Sequence, residues 1–280
     1  MTQGTTSQIA HFSGITLCGC GWLGKHFART VSSETLLGTT RSEDNFAELQ
    51  ALGVTPFVFS LGDDPQKLAG QSGSNAVILN IPPGRKRTLG DSFVPDMKQL
   101  ITALLNAGAS RLIFISTTSV FGDADGELDS TAAVSPSTDS GKAHCELEKF
   151  LLEMEDPRIH VLRLAGLTGP DRHPAKYLAG KSLSNGEQAV NLVHIDDVVS
   201  ALHAMLECRS GQPGALMQLC ALDHPRRDEY YTWACDKLGL EAPEFTANAE
   251  KGTGGKKILS ETCWPMLGLK PKFASPYDML

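Results

Sequence analysis

Gly19, Gly21 and Gly24 fall in the spacing G-x-G-x-x-G, directly after the apolar run Ile15-Thr16-Leu17-Cys18. Trp22, Leu23, Phe27 and Ala28 follow at roughly helical spacing. The chemistry such a turn performs is phosphate binding. The first glycine turns the strand sharply, the second lets a pyrophosphate reach the backbone, and the third lets the next helix pack closely, while the helix N-terminus presents free N–H groups. The same letters arise by chance in ordinary strand-to-helix turns, so the order of the surrounding elements has to carry the reading.

A second position speaks to which dinucleotide is held. Residues 35–40 read as the next strand, and the residue just past such a strand selects the ribose: a carboxylate bonds a 2′-hydroxyl, an arginine accepts a 2′-phosphate. Here that residue is Arg41, flanked by the hydroxyls of Thr40 and Ser42, which favours NADP over NAD. Glu43 and Asp44 fall one or more residues into the following helix. The alternative for Arg41 is a solvated surface side chain.

These groups need a scaffold, and the chain supplies alternating elements. Helices are expected over 44–52, 65–69 and 92–107, the last with Val94, Met97, Leu100, Ile101 and Leu104 on one side, and strands over 54–60, 75–81 and 111–115. That alternation implies an α/β fold: a Rossmann-type doubly wound parallel sheet with a small interleaved C-terminal substrate portion. The expected division is a tail over 1–13, a dinucleotide-binding part over 14–165 completed by about 192–222, and substrate-side structure over 166–191 and 223–280. The turn Asn80-Ile81-Pro82-Pro83-Gly84-Arg85 closes a strand at its carboxyl end, where ligands of open α/β sheets bind, making Ile81 and Pro82 cofactor-lining candidates. Arg85 either reaches a phosphate or lies on the surface.

The fifth strand runs into Ser116-Thr117-Thr118-Ser119-Val120-Phe121-Gly122. With this segment the chain resembles the atypical and extended branches of the short-chain dehydrogenase/reductase superfamily, the group of the nucleotide-sugar epimerases and dehydratases. There a Ser/Thr run is followed by V-Y-G. Val161-Leu162-Arg163 through Leu167-Thr168-Gly169-Pro170 resembles the family's L-R-x-x-x-x-Y-G-P segment, and Val193-His194-Ile195-Asp196-Asp197-Val198 its V-H-x-x-D-V segment. Residues 257–260 through 267–271 resemble its closing helix and G-W-x-P turn. The resemblance covers about residues 14 to 275.

What the resemblance implies is hydride transfer, with a Tyr-x-x-x-Lys pair supplying a phenolate base and a Ser or Thr bonding the reacting oxygen. Thr117 takes the last role. Aligned backward from Glu148, Ser140 occupies the Tyr position and His144 the Lys position. A serine hydroxyl is a far weaker acid than a phenol and is shorter, so Ser140 cannot simply replace it. His144 either exchanges protons or contacts cofactor ribose or phosphate, or it is a helix histidine tuned to its packing. Lys142 points about 200 degrees away from it on a helix. Tyr177 and Lys181 repeat the letters Tyr-x-x-x-Lys, but beyond the sixth strand. The resemblance further implies Ser116 and Leu167 at the cofactor, Phe121, Tyr177 and His194 at the substrate, and a homodimer through helices such as 92–107 and 139–154. Arg172, His173 and Lys176 form a small basic cluster that either holds a phosphate or carboxylate or is a wet loop.

Composition narrows the classes. A net charge of -7 and a pI near 5.6 argue against a broad grip on nucleic acid or anionic lipid. Seven cysteines, scattered and without a C-x-x-C pair, suggest neither a disulfide framework nor zinc and fit a reducing cytoplasm. The start lacks the pattern of a signal peptide, and no apolar run is long enough to span a bilayer. Asp123, Asp125, Glu127 and Asp129 lack the spacing of a calcium loop. The reading is therefore an NAD(P)-dependent oxidoreductase or epimerase/dehydratase-like enzyme acting on a nucleotide-linked or phosphorylated small molecule, with no metal. Its rival is a catalytically silent NADP-binding sensor or scaffold. A Rossmann methyltransferase would explain neither Arg41 nor the 116–122 segment.

Overall fold

The computed structural model describes residues 13–32, 35–83, 92–207, 216–246 and 254–280. The expected N-terminal tail, apart from Ser13, and Arg85 lie outside the described residues. In chain order the first elements are β1 (Ile15–Cys18), α1 (Trp22–Ala28), β2 (Leu36–Thr40), α2 (Phe46–Ala51), β3 (Val54–Val58), α3 (Pro65–Ser72), β4 (Ala76–Leu79), α4 (Phe93–Asn106) and β5 (Arg111–Thr117). Then come β6 (Gly126–Leu128), α5 (Asp139–Glu153), β7 (Ile159–Leu164), β8 (Gly166–Thr168), α6 (Ala175–Leu178), β9 (Ser182–Leu183), β10 (Leu192–His194) and α7 (Ile195–Glu207). The chain ends through β11 (Leu216–Leu219), α8 (Arg227–Leu238), β12 (Glu244–Phe245), β13 (Lys256–Ile258) and α9 (Cys263–Met266).

Seven strands form one parallel sheet in the order β11-β7-β5-β4-β1-β2-β3. This is the doubly wound Rossmann-type sheet the alternation predicts. Ile15–Cys18 and Ala76–Leu79 are buried at every residue, as strands covered on both faces must be. The chain steps outward from β1 through β2 to β3 and then restarts at β4 on the other side, so β1 and β4 are neighbours joined in register from Ile15↔Ala76 to Cys18↔Leu79. Ligands of such sheets bind at this reversal point.

The chain divides into two compact units, Met1–Ser116 with Ala143–Leu162 and Leu202–Leu216, and Thr117–Lys142 with Arg163–Ala201 and Met217–Leu280. The first has a core in which α4 places Phe93, Met97, Leu100, Ile101 and Leu104 at helical spacing among the sheet's side chains. The second gathers Val190, Leu192, Tyr230, Ala234 and Met279 around its own centre.

Three differences from the sequence reading have physical causes. The helix expected over 65–69 runs to Ser72, started by Asp64, whose carboxylate accepts from Gln66 N at 3.0 Å with Pro65 at the first turn. The fifth strand runs two residues beyond its last apolar position, because Ser116 and Thr117 continue it. The segment expected to begin a closing helix is instead β13, paired in parallel with β6, and only Cys263–Met266 is helical. Strands of two or three residues with distant partners leave no periodicity to read. Among the described residues no helix is long and apolar enough to cross a membrane, and no group of His, Cys, Asp or Glu is placed to hold a metal ion.

Candidate cofactor cradle and active site

The glycine-rich turn leaves the carboxyl end of β1 at the reversal point. Gly19 has φ +80, and a Cβ there would lie 2.4 Å from the carbonyl oxygen of Asn80 and 3.3 Å from Ile81. Only glycine lets the backbone pass that close. Its amide donates to Thr39 Oγ1 at 2.7 Å. Gly21 is different: it is exposed at the start of α1, its φ is -84, and a Cβ would meet nothing nearer than Gly19 O at 4.0 Å. Space over its backbone is open to a ligand. Gly24 packs α1 down on Cys20, whose Sγ is 3.2 Å from where a Cβ would stand, and Gly38 of β2 receives the same thiol from the other side. Burial pushes the Cys20 thiol up to about 11, which makes it an inert wedge, not a nucleophile. Leu23 is buried beneath, while Trp22 stays partly exposed with its ring 4.6 Å from that of His26.

At the end of β2 the hydroxyls are engaged within the turn itself. Thr40 Oγ1 donates to Ser42 O at 3.1 Å and accepts from Asn45 Nδ2 at 3.0 Å. Ser42 Oγ donates to the Asp44 carboxylate at 2.6 Å. Arg41 is left exposed, and among the described residues no hydrogen bond or ion pair holds it. Glu43 and Asp44 lie in a short 3-10 turn, Glu43–Asn45, beyond the strand. Ile81 is half-buried beside Gly19, and Pro82 is exposed.

Farther along the sheet, β5 and α5 meet through two side-chain pairs in the first unit. Ser116 Oγ donates to the carboxylate of Glu148, and both residues are only 3% exposed. His144, one helical turn before Glu148, is buried with its ring 5.8 Å from Phe114. Glu148 served the sequence only as an alignment marker, and its bond to Ser116 could not be foreseen from either residue alone.

The second unit begins at Thr117, which caps the 3-10 turn Thr118–Phe121: its Oγ1 accepts from Ser119 N at 3.1 Å and lies 2.9 Å from Ser119 Oγ. The start of α5 rests on this turn. A Cβ at Gly141 would sit 2.7 Å from Ser119 O, so the glycine beside Ser140 permits this close approach of helix and turn. Ser140 itself is exposed. Phe121 is fully buried, with the Arg163 guanidinium 5.0 Å above its ring. Tyr177 is 63% exposed on α6, and Leu167 is half-buried on β8, opposite Val193 of β10.

The supposed basic cluster loses one member. His173 is buried, and burial first, then the Lys176 charge, lowers its pKa to about 4. Tyr230 donates to Pro276 O at 3.2 Å, so its oxygen accepts from His173 Nε2 at 2.8 Å, while His173 Nδ1 accepts from Ala175 N. A neutral histidine satisfies the whole chain. Arg172 stays exposed, and Lys176 Nζ reaches Pro170 O at 3.5 Å. His194 is buried, its ring 3.8 Å from Phe273, with Nδ1 accepting from Asp196 N. The neighbouring Asp197 accepts from the amides of Lys272 and Phe273 at 2.6 and 3.1 Å, so this acidic position of the segment ties down the C-terminal stretch.

Comparison with known proteins bears on the family and the fold. Residues 86–220 match the family described as NAD dependent epimerase/dehydratase. Protein YeeZ of Escherichia coli strain K12 is 31% identical over 275 residues, 95% of this chain and 98% of that one. Among solved structures, UDP-glucuronic acid 4-epimerase from Bacillus cereus in complex with NAD superposes with a TM-score of 0.77 at 18% identity, over 95% of each chain. DesIV, a dTDP-glucose 4,6-dehydratase from Streptomyces venezuelae with NAD and TYD bound, gives 0.75 at 18% identity, over 95% of this chain and 93% of that one.

Proposed function

Because the chain belongs to the NAD-dependent epimerase/dehydratase family, we propose that it binds a nicotinamide dinucleotide on Gly19 to Gly24, NADP ahead of NAD, and acts on a nucleotide-linked or phosphorylated small molecule. The observation that carries the reading is the cradle itself: Gly19 pressed against Asn80 where a Cβ would collide, and Gly21 beside it open to a ligand. When bound, the nicotinamide supplies the hydride acceptor and donor.

The chain's own residues do the rest. The Gly21 backbone and the start of α1 take the pyrophosphate. Ile81, Pro82, Ser116 and Leu167 line the remainder of the dinucleotide. With the Thr40 and Ser42 hydroxyls engaged elsewhere, Arg41 alone supplies the positive group for a 2′-phosphate, as a charge-assisted donor. Thr117 orients the reacting oxygen, and His144 assists proton transfer or holds the ribose. Residues 14–165, completed by about 192–222, form the cofactor part in this reading. It extends to a cytoplasmic protein and a homodimer, the first supported by the free state of every described cysteine.

Isothermal titration tests the cofactor assignment. Arg41→Ala is expected to weaken NADP binding about tenfold or more while leaving NAD affinity nearly unchanged. Failure of the unaltered protein to bind either nucleotide would overturn the reading. For the chemistry, a Thr117→Ala, His144→Ala double variant is expected to lose nearly all turnover on a nucleotide-sugar panel, and unaltered turnover would reject both roles.

The exposed, short Ser140 and the buried His144 favour a second reading, a catalytically silent NADP-binding sensor or scaffold. Tight NADP binding without turnover on any carbonyl or sugar substrate is its signature.

A further inference from the structure

Lys256 is a cation held in place with too little to neutralise it. Its backbone is fixed on both sides: β13 pairs with β6 in the register Lys256↔Gly126, and Asn191 donates through Nδ2 to Lys256 O at 2.8 Å while accepting from Ile258 N at 2.9 Å. The ammonium, half-buried, donates to Gly122 O. Gly122 closes the turn that Thr117 opens, its amide bonding Ser119 O at 3.0 Å, and Arg163 covers the ring of Phe121 in the same turn. Two cations from different strands thus face this turn, Lys256 at the Gly122 carbonyl and Arg163 over the Phe121 ring.

An ammonium carries three donors. Here one goes to Gly122 O, and among the described residues no other hydrogen bond and no carboxylate within ion-pair distance completes the set. Burial, partly offset by the Asp123 charge, holds its pKa below the ordinary lysine value. A partly desolvated cation of this kind gains from an anion that brings its own acceptors.

We infer that Lys256 is a binding residue for an anionic group of the substrate, a phosphate or a carboxylate, presented to the turn that begins at Thr117. The inference rests on the proposed function for the meaning of that turn, and the site is of the second unit alone.

The test is amine acylation followed by mass spectrometry on the unaltered protein, with Lys257 next to it as internal reference. Inorganic phosphate, glucuronic acid, UDP-glucose and UDP-glucuronic acid serve as probes. Glucuronic acid offers only a carboxylate, phosphate and UDP-glucose only phosphate, and UDP-glucuronic acid both. Expected is a fall of about tenfold in Lys256 acylation with one of these classes, Lys257 unchanged. Lys256→Gln should weaken binding of the protecting probe about tenfold, and Lys256→Arg should restore most of it.

An unchanged Lys256 rate with all four probes overturns the inference. So does equal probe affinity in a folded Lys256→Gln variant. NADP titration of the same samples separates the two readings: NADP binding without protection rejects the anion site alone, and protection without NADP binding supports it while rejecting the cofactor assignment.

Discussion

Gly19→Ala is expected to lower the protein's stability by about 3 kcal/mol or more and to abolish nucleotide binding, two effects that a neighbouring glycine separates. The new methyl group would stand 2.4 Å from Asn80 O and 2.9 Å from the Asn80 carbonyl carbon, both backbone atoms, at a φ of +80 that L residues rarely adopt. Relief requires β1 and β4 to part where Asn80 N donates to Cys18 O at 2.8 Å, so the strain falls on the sheet. Gly21→Ala meets no such obstacle: its φ is negative and the nearest atom is 4.0 Å away. That variant should keep the thermal midpoint of the unaltered protein and still lose most of its NADP affinity, since the added methyl occupies the open space a pyrophosphate needs. Thermal unfolding and titration on both variants check the pair. A Gly21→Ala protein that binds NADP normally would take the pyrophosphate off this turn, whatever Gly19→Ala does.

The cradle and the sheet were legible because their signals are local and physically forced. A strand buried on both faces must be apolar throughout, as Ala76–Leu79 is, and a close backbone approach leaves a glycine in the text. What sequence could not show depends on partners far along the chain. His173 sits between Arg172 and Lys176 and looks basic, yet Tyr230, 57 residues on, makes it a neutral link in a buried chain. Phe121 stands where the family resemblance suggests a substrate contact, and the structure encloses it beneath Arg163. Thr40 and Ser42 offer hydroxyls beside Arg41, but Asn45 and Asp44 engage them. β6 and β13 are too short to leave a periodicity, so no local signal marks where Lys256 is held. In each case the residue type was plain and its neighbour was not.

Buried histidines set the second large effect, a loss of stability in mild acid. His160, buried on β7 with Nε2 unpartnered among the described residues, is lowered from 6.5 to about 4 by desolvation and then by Arg111. His173 is lowered to about 4 in the second unit. The unfolded chain takes up these protons near 6.5 and the folded one only near 4, so each histidine's contribution is complete above pH 6.5 and is lost as pH falls to about 4, roughly 3 kcal/mol apiece. Asp197 works in the opposite sense, because burial raises its folded pKa and protonation then favours the native state. The lowered carboxylates Asp156 and Asp228 begin to matter only near and below 3.8. Between pH 6.5 and 4 the histidines therefore dominate, and the urea midpoint should drop steeply across that window. His160→Phe removes a proton site whose ring nitrogen has no bond to lose, so it is expected to flatten the profile with little cost near pH 7. A His160→Phe protein whose urea midpoint still falls as steeply would move the origin of the acid sensitivity elsewhere in the chain.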